Sequence, residues 1–506
     1  MADSPPEAVR QGFRRARERR EPWEHLWRDC YAYALPQRGH GLGGEFAPAS
    51  RFAERLFDAT APDAVEQLAA SLLAELTPPW SRWFGLRAGH DVDPSARGAL
   101  SEFLDGVGDR IQGHFDRSNF AVEIHQCFLD LVTVGTATLM FREAPAGDPS
   151  AFRFTAVPAA EMYVDGDQAG LARRAYRLSA LPVAGIRGLF PGALLPPSLI
   201  EVGERSPDRR FEIIEAVWPS AGGTDYVAVL GEQMSHDGPE QPLATGRFDQ
   251  SPFITFRWLK GAGEVYGRSP VMTALPDIKT ANKVVELVLK NASIAVTGIW
   301  LADDDGVLNP ANIRLTPGSI IPKAVGSAGL TPLQAPGRFD VSELVLADLR
   351  ARIRHTLLID RLAPVDGRRM TATEVLERSA EMTRLLGAIY GRLQAELLNP
   401  VMHRAVSVLR RRGEIPALVL DGKEVELYSR APLARAQARQ DVQNTLLWLE
   451  QVGRLGPLAQ GVVDVPQSAR WLARMLGVPG ELVREDEAGA TATLQALLTG
   501  GSHDAA

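Results

Sequence analysis

The residues of this chain that could carry chemistry come in small groups, and each lacks the company that a reaction needs. Gly261, Gly263 and Gly267 in GAGEVYG miss the spacing of a dinucleotide loop, and Gly422-Lys423 has no Gly-rich run before it. Ser269 in GRSPV lacks the second glycine of a nucleophile elbow, and Pro270 behind it suits the first turn of a helix. His125 and Cys127 stand two positions apart, so on a helix they point in different directions, and no other ligand accompanies them. A packed core pair is the expectation there. Asp303, Asp304 and Asp305 could attract a cation, but they lack the spaced oxygens and turn glycine of a calcium loop, so a solvated turn is expected. No enzyme activity, metal or cofactor is expected.

The basic residues are more informative. Arg368 and Arg369 follow Asp366-Gly367 in a short loop, where side chains project freely and can meet a phosphate without any base-reading geometry. An exposed turn is the plainer role for the same loop. Lys279, Lys283 and Lys290, with Glu286, form a polar stripe at helical spacing. Near the start, Arg10, Arg14, Arg15, Arg17, Arg19 and Arg20 are interrupted by Glu18 and Glu21, which reads as a solvated helix face.

Bulk properties narrow the classes. With 506 residues the chain can bury several cores, and 45% hydrophobic with 23% charged residues exclude disorder of the whole. A net charge of -7 argues against a broad basic grip on nucleic acid, because tight phosphate binding needs many Lys and Arg contacts. Weak, sliding contact is compatible with it. Two cysteines, Cys30 and Cys127, make no disulfide framework and fit a reducing compartment. The first residues lack the apolar core of a signal peptide, and no stretch approaches the roughly 18 apolar residues of a bilayer span, so a cytosolic origin without membrane contact is expected.

These residues need elements to position them, and the periodicity supplies an α+β fold that is predominantly α. Trp23, Trp27 and Tyr31 share one helical face, and Leu68, Leu72 and Leu76 form another stripe, opened by Thr60 and Asp63 as a cap and stopped by Pro78-Pro79. Phe103, Leu104, Val107, Ile111 and Phe115 predict a further helix, and Phe120 to Val134 predicts one ended by Gly135. From Thr136 to about Phe256, short runs such as TATLMFRE and EIIEAVW read as β-sheet, with PGALLPP and PSAGGT as loops between strands. Ser269-Pro270 opens a helix carrying Ile278, Ala281, Val285, Val288 and Ala292; at about 25 residues it would run roughly 38 Å. A Gly- and Pro-rich insertion with strand-like pieces follows, and then a helix on Leu346, Leu349, Ile353 and Leu357, capped by Asp340 and Glu343. Thr371 and Glu374 form a capping box for a long helix through Met382, Leu386, Ile389, Leu393 and Leu397, kinked or interrupted at Pro400 and ended by Arg410, Arg411, Arg412 and Gly413. The remainder is helical through Leu446 to Val452 and Ala469 to Leu476, then fades into an Ala-, Gly- and Thr-rich tail.

In this order the segments ERLFDATAPDAVEQLAASLLAELTPPWSRWFGL, YGRSPVMTALPDIKTANKVVELVLKNA, TATEVLERSAEMTRLLGAIYGRLQAELLNPVMHRAV and RWLARMLGVPGELV resemble the portal proteins, the head-to-tail connectors of short-tailed bacteriophages. The likeness covers nearly the whole chain. It implies a portal-like architecture: a wing over 1–270 with helices and a β-rich part, stem helices over 271–297 and 340–361 flanking a clip over 298–339, and a channel loop over 362–370. It further implies a long helix over 371–413, a helical crown over 414–487 and a flexible tail over 488–506. The family forms a ring, usually a dodecamer, at one capsid vertex at the head-tail junction of the virion, after assembly in the host cytoplasm. Double-stranded DNA is packaged and ejected through it without sequence specificity. Terminase, major capsid, scaffolding and tail adaptor proteins are the implied partners. Ring symmetry would turn Arg368 and Arg369 into a collar of charge, whereas the Lys279, Lys283 and Lys290 stripe could face the lumen or a neighbouring subunit.

Two other classes remain distinguishable at this point. A capsid or tail scaffold would oligomerise without a DNA lumen. A packaging nuclease or ATPase would require clustered acidic ligands or a phosphate loop, and the sequence offers neither.

Overall fold

The computed structural model describes residues 5–38, 56–89, 91, 97–166, 172–231, 241–297, 300–302, 330–332, 339–362, 387, 389–416, 418, 420, 422–455, 462–476 and 478. Among these described residues helix accounts for 56% and strand for 21%, a mixed fold with helical excess. Arg368, Arg369, Thr371, Glu374, Met382, Leu386, Asp303 to Asp305 and the C-terminal tail lie outside the described residues.

The N-terminal helices follow their apolar stripes. Helix α1 (Pro5–Ala34) buries Trp27 and Tyr31, with Trp23 half-buried beside them. Helix α2 (Thr60–Leu76) buries Leu68, Leu72 and Leu76 and ends at Thr77, ahead of the two prolines. Its start differs from the expectation. Thr60 and Asp63 make no side-chain cap; instead Asp58 reaches forward, its Oδ1 accepting the Thr60 N–H at 2.9 Å. After strand β1 (Phe84–Ala88), α3 (Arg97–Asp116) buries Leu104, Val107, Ile111 and Phe115. Phe103, one step off that face, is exposed. Helix α4 (Phe120–Val134) is buried at every residue from Cys127 to Val134 and stops at Gly135, whose φ of 76° is left-handed.

Two antiparallel sheets occupy the middle of the chain. Strand β2 (Thr136–Glu143) is central in the first, between β3 (Phe152–Val157) and β9 (Phe253–Arg257). The second runs in sequence order through β4 (Met162–Gly166), β5 (Ala172–Pro182), β6 (Arg210–Ser220), β7 (Gly223–Leu230) and β8 (Ala244–Phe248). Helices α5 (Val183–Leu189) and α6 (Pro197–Arg205) interrupt the β-rich stretch, so PGALLPP joins two short helices and not two strands. They cover one face of this sheet over Ile213, Ala228 and Leu230, while Val9, Phe13 and Ala16 of α1 cover the other over Tyr163, Ile214 and Val229. Each buried Val, Leu, Ile or Phe among them contributes roughly 1.5–3 kcal/mol.

Helix α7 (Pro270–Thr297) is 28 residues long, about 42 Å at the standard rise. Strands β10 (Trp300–Ala302) and β11 (Leu330–Pro332) pair antiparallel beyond it, and α8 (Phe339–Thr356) packs back along α7, with Leu349, Ile353 and Leu357 buried. After Leu358, which has a φ of 63°, comes the short helix α9 (Ile359–Leu362). A π-helical turn, Gln394–Leu398, runs directly into α10 (Asn399–Arg411). Pro400 therefore neither breaks nor ends the helix. Lacking an N–H and crowding the carbonyl four residues back, it is accommodated by widening the preceding turn, in which the Asn399 N–H donates to the Gln394 carbonyl. Strand β12 (Val425–Ser429) returns to pair with β1, Leu427 opposite Leu86. Helices α11 (Pro432–Arg454) and α12 (Val465–Leu476) complete the described chain.

Candidate functional site

The α7–α8 pair is the candidate site, and the rest of the fold fixes where it stands. Ser269 is the N-terminal cap of α7: its Oγ accepts the Met272 N–H at 2.9 Å and donates to the Thr133 carbonyl at 2.8 Å. The serine that failed as a nucleophile thus holds the helix start to the end of α4. The glycines of GAGEVYG serve packing as well. A Cβ on Gly267 would stand 2.0 Å from the Gly135 carbonyl oxygen, and one on Gly135 would stand 2.6 Å from the Gly267 oxygen. Only bare backbone allows the two segments to meet.

A buried ion pair ties the entry of this region to the π turn. Arg257, at the end of β9 and 1% exposed, donates through Nη2 and Nε to both Glu396 oxygens at 2.6 and 3.1 Å. Its backbone N–H donates to the same carboxylate at 3.0 Å, and its Nη1 to the Val265 carbonyl at 3.0 Å. The widened turn ahead of Pro400 carries Glu396, which also accepts from Arg392.

Helices α1 and α2 clamp the pair from the side. Lys279 of α7 donates to Asp29 of α1 at 2.6 Å and lies 5.7 Å from the Tyr33 ring centroid. The Asn282 Oδ1, buried on α7, accepts the N–H groups of Phe57 and Asp58 at 2.6 and 3.1 Å. Asp58 in turn receives Arg350 of α8 at 2.8 Å. Burial alone would raise its carboxyl; the hydrogen bonds from Thr60 and the Arg350 guanidinium outweigh that and hold it below the usual carboxylate range. Arg352 of α8 meets Asp277 of α7 at 3.4 Å, which places the end of one helix beside the start of the other. The two run antiparallel.

Farther along α7, Lys283 and Lys290 are 60% and 64% exposed and share Glu286 at 2.9 and 2.6 Å. Their hydrogen bonds lower the Glu286 carboxyl. The three expected lysines therefore differ: Lys279 is occupied between helices, and Lys283 and Lys290 stand on open surface. The N-terminal arginines differ too. Arg20, expected on a solvated face, is buried, its guanidinium 3.6 Å from the Tyr163 centroid, donating to the carbonyls of Ala159, Ala160 and Met162 and to Glu24. Arg19 pairs with Asp165, and Arg10 donates to the Leu230 carbonyl. Cys127 is fully buried with its thiol raised by desolvation, while His125 is half-buried, so only the cysteine is a true core residue. Among the described residues no His, Cys, Asp and Glu side chains cluster as a metal site, and no helix is long and apolar enough to cross a membrane.

The family model of the bacteriophage head to tail connecting protein matches residues 7–483. The chain belongs to this family. It is 25% identical over 491 residues to the probable portal protein of Bordetella phage BPP-1, covering 92% of this chain and 86% of that one. It is 24% identical over 532 residues to the portal protein of Salmonella phage epsilon15, covering 99% and 94%. Among solved structures, a chain from the neck of a native gene transfer agent particle, computed with C12 symmetry, aligns with a TM-score of 0.36 and 15% identity over 83% of this chain and 92% of that one.

Sequence reasoning missed most of the joints that hold α7 and α8. Asn282 could have been noticed as a polar residue beside the apolar positions Ile278 and Ala281, since a buried amide needs partners. Pro400 marked an irregularity near Glu396. Nothing local marks Asp29, Asp58 or Arg257.

Proposed function

We propose that this connector is one subunit of a portal ring at the head-tail junction of the virion, enclosing the channel through which the genome is packaged and ejected. The observation that carries this is the family match across almost the whole chain, residues 7–483. The antiparallel α7 and α8, about 42 Å for the longer, supply a wall element of useful height. On this reading residues 1–270 form the wing, α7 and α8 the stem around a clip, 362–370 the channel loop, 371–413 the long helix behind it and 414–487 the crown.

The charge balance favours light contact with double-stranded DNA. Tight binding through counterion release would stall a strand that must pass both ways, and each subunit carries a net charge of -7. Arg368 and Arg369 are proposed as the collar that touches phosphate, repeated by ring symmetry. Terminase, scaffolding and capsid proteins, and later tail adaptors, are the proposed protein partners.

Negative-stain imaging of the purified chain tests the reading. Closed rings with a central hole are expected. Assemblies without a lumen, nucleotide turnover, or DNA cleavage dependent on a divalent metal would overturn it.

A further inference from the structure

Where α1 crosses β4 and β5, a small basic recess lies beside its buried stripe. Phe13 meets Tyr163 and Tyr176 edge-on, with ring centroids 4.7 and 6.4 Å apart, so the helix lies across these two strands. At the crossing a Cβ on Gly12 would collide with the Tyr176 hydroxyl. The phenol reaches the flank of the helix only because that position is bare. Gly12, Arg15 and Arg19 follow at three- and four-residue steps along this flank.

Three elements bring charge to the hydroxyl. Asp165 of β4 and Arg174 of β5 stand opposite each other in the ladder, two residues from the paired Tyr163 and Tyr176 and therefore on the same face. Asp165 is taken by Arg19. Arg174 and Arg15 are exposed and make no ion pair among the described residues. Tyr176 is 4% exposed, and its hydroxyl has no hydrogen-bond partner among the described residues. Burial raises the phenol, so it stays a proton donor at neutral pH, with the charges of Arg174 and Arg15 acting on it from β5 and α1. A buried hydroxyl needs a partner, and two guanidinium groups beside it, which only donate, favour an anionic acceptor.

We propose that Arg15, Arg174 and Tyr176 bind a phosphate group, either free inorganic phosphate or a phosphodiester of nucleic acid. Helix, strand and phenol approach from three directions, which suits a tetrahedral oxyanion better than a planar carboxylate. The carboxylate at hand, Asp165, sits on Arg19 instead. The recess lies within one chain, so the proposal is independent of the portal-ring reading.

Isothermal titration calorimetry of the full chain with sodium phosphate, at an ionic strength held constant with chloride, tests it. Saturable binding in the millimolar range is expected. Tyr176→Phe, which keeps the ring, should weaken it roughly five-fold, and Arg15→Gln with Arg174→Gln should abolish it. Arg15→Lys with Arg174→Lys keeps the charge and loses the fork, and should retain weakened binding. Arg205→Gln, at an exposed arginine of α6, should change nothing. Displacement of phosphate by a short DNA duplex would identify the phosphodiester as the natural occupant, and undiminished phosphate binding beside the duplex would identify free phosphate. A wild-type chain that gives no saturable phosphate binding, a double Gln variant that binds as wild type does, or an equal loss in Arg205→Gln would overturn the site.

Discussion

Arg257 and Glu396 meet as a bidentate pair between the last residue of β9 and the π turn that precedes Pro400. The guanidinium is 2% exposed and the carboxylate 13%, so neither can fall back on bulk water. Removing one partner strands a buried charge, which is costlier than removing both. Glu396→Ala should lose about 3–5 kcal/mol of stability, and Arg257→Met with Glu396→Leu should lose much less. Urea unfolding of the three proteins checks this, and equal losses would show that the pair is not a unit.

Asp58 makes the clamp sensitive to acid. Its folded carboxyl lies below the ordinary value, so its contribution is complete above the unfolded value near 4 and is lost as pH falls through the folded one. Asp58→Asn should cost about 2 kcal/mol at neutral pH, by weakening the bond from Arg350. The gap to wild type should close as pH is lowered through the carboxylate range. Unfolding midpoints measured at neutral pH and near pH 3 would reveal a constant gap if Asp58 were not the titrating group.

Gly135 and Gly263 separate backbone strain from collision. Their φ values, 76° and 79°, are nearly equal, but a Cβ on Gly263 meets nothing within 4 Å whereas one on Gly135 meets the Gly267 and Arg268 backbone. Gly263→Ala should cost about 1 kcal/mol and Gly135→Ala about 3 kcal/mol or more. Thermal melts that move equally would contradict the close approach of the two segments.

Arg368→Ala with Arg369→Ala tests the proposed collar. Ring assembly should be unchanged, because these side chains are assigned to DNA and not to a neighbour. Packaged-genome length or retention should change, with a weaker dependence on salt. Unaltered packaging and retention would remove both residues from the channel.

Much of the helical part of the fold was legible in the sequence, for a local reason. Trp27 and Tyr31, Leu68 through Leu76, and Leu104 through Phe115 repeat at the helical period, and Gly135, Ser269 and Pro270 end or begin helices through their own backbone chemistry. Four segments in order sufficed for the connector likeness. The strand pairing of β1 with β12, joining Leu86 to Leu427 across most of the chain, has no local signal, since a strand edge accepts many partners. Nor could spacing alone tell which cations would be consumed: Arg20 vanished beneath Tyr163 and Lys279 into Asp29, while Lys283 stayed on the surface. By itself the sequence determined where several of the long helices run and the family to which the chain belongs, because periodicity and capping act within a few residues; the short helices α5 and α6 escaped it. Only the tertiary structure decided which charges meet, because a buried ion such as Arg257 takes its partner from whatever distant segment the packing brings within reach.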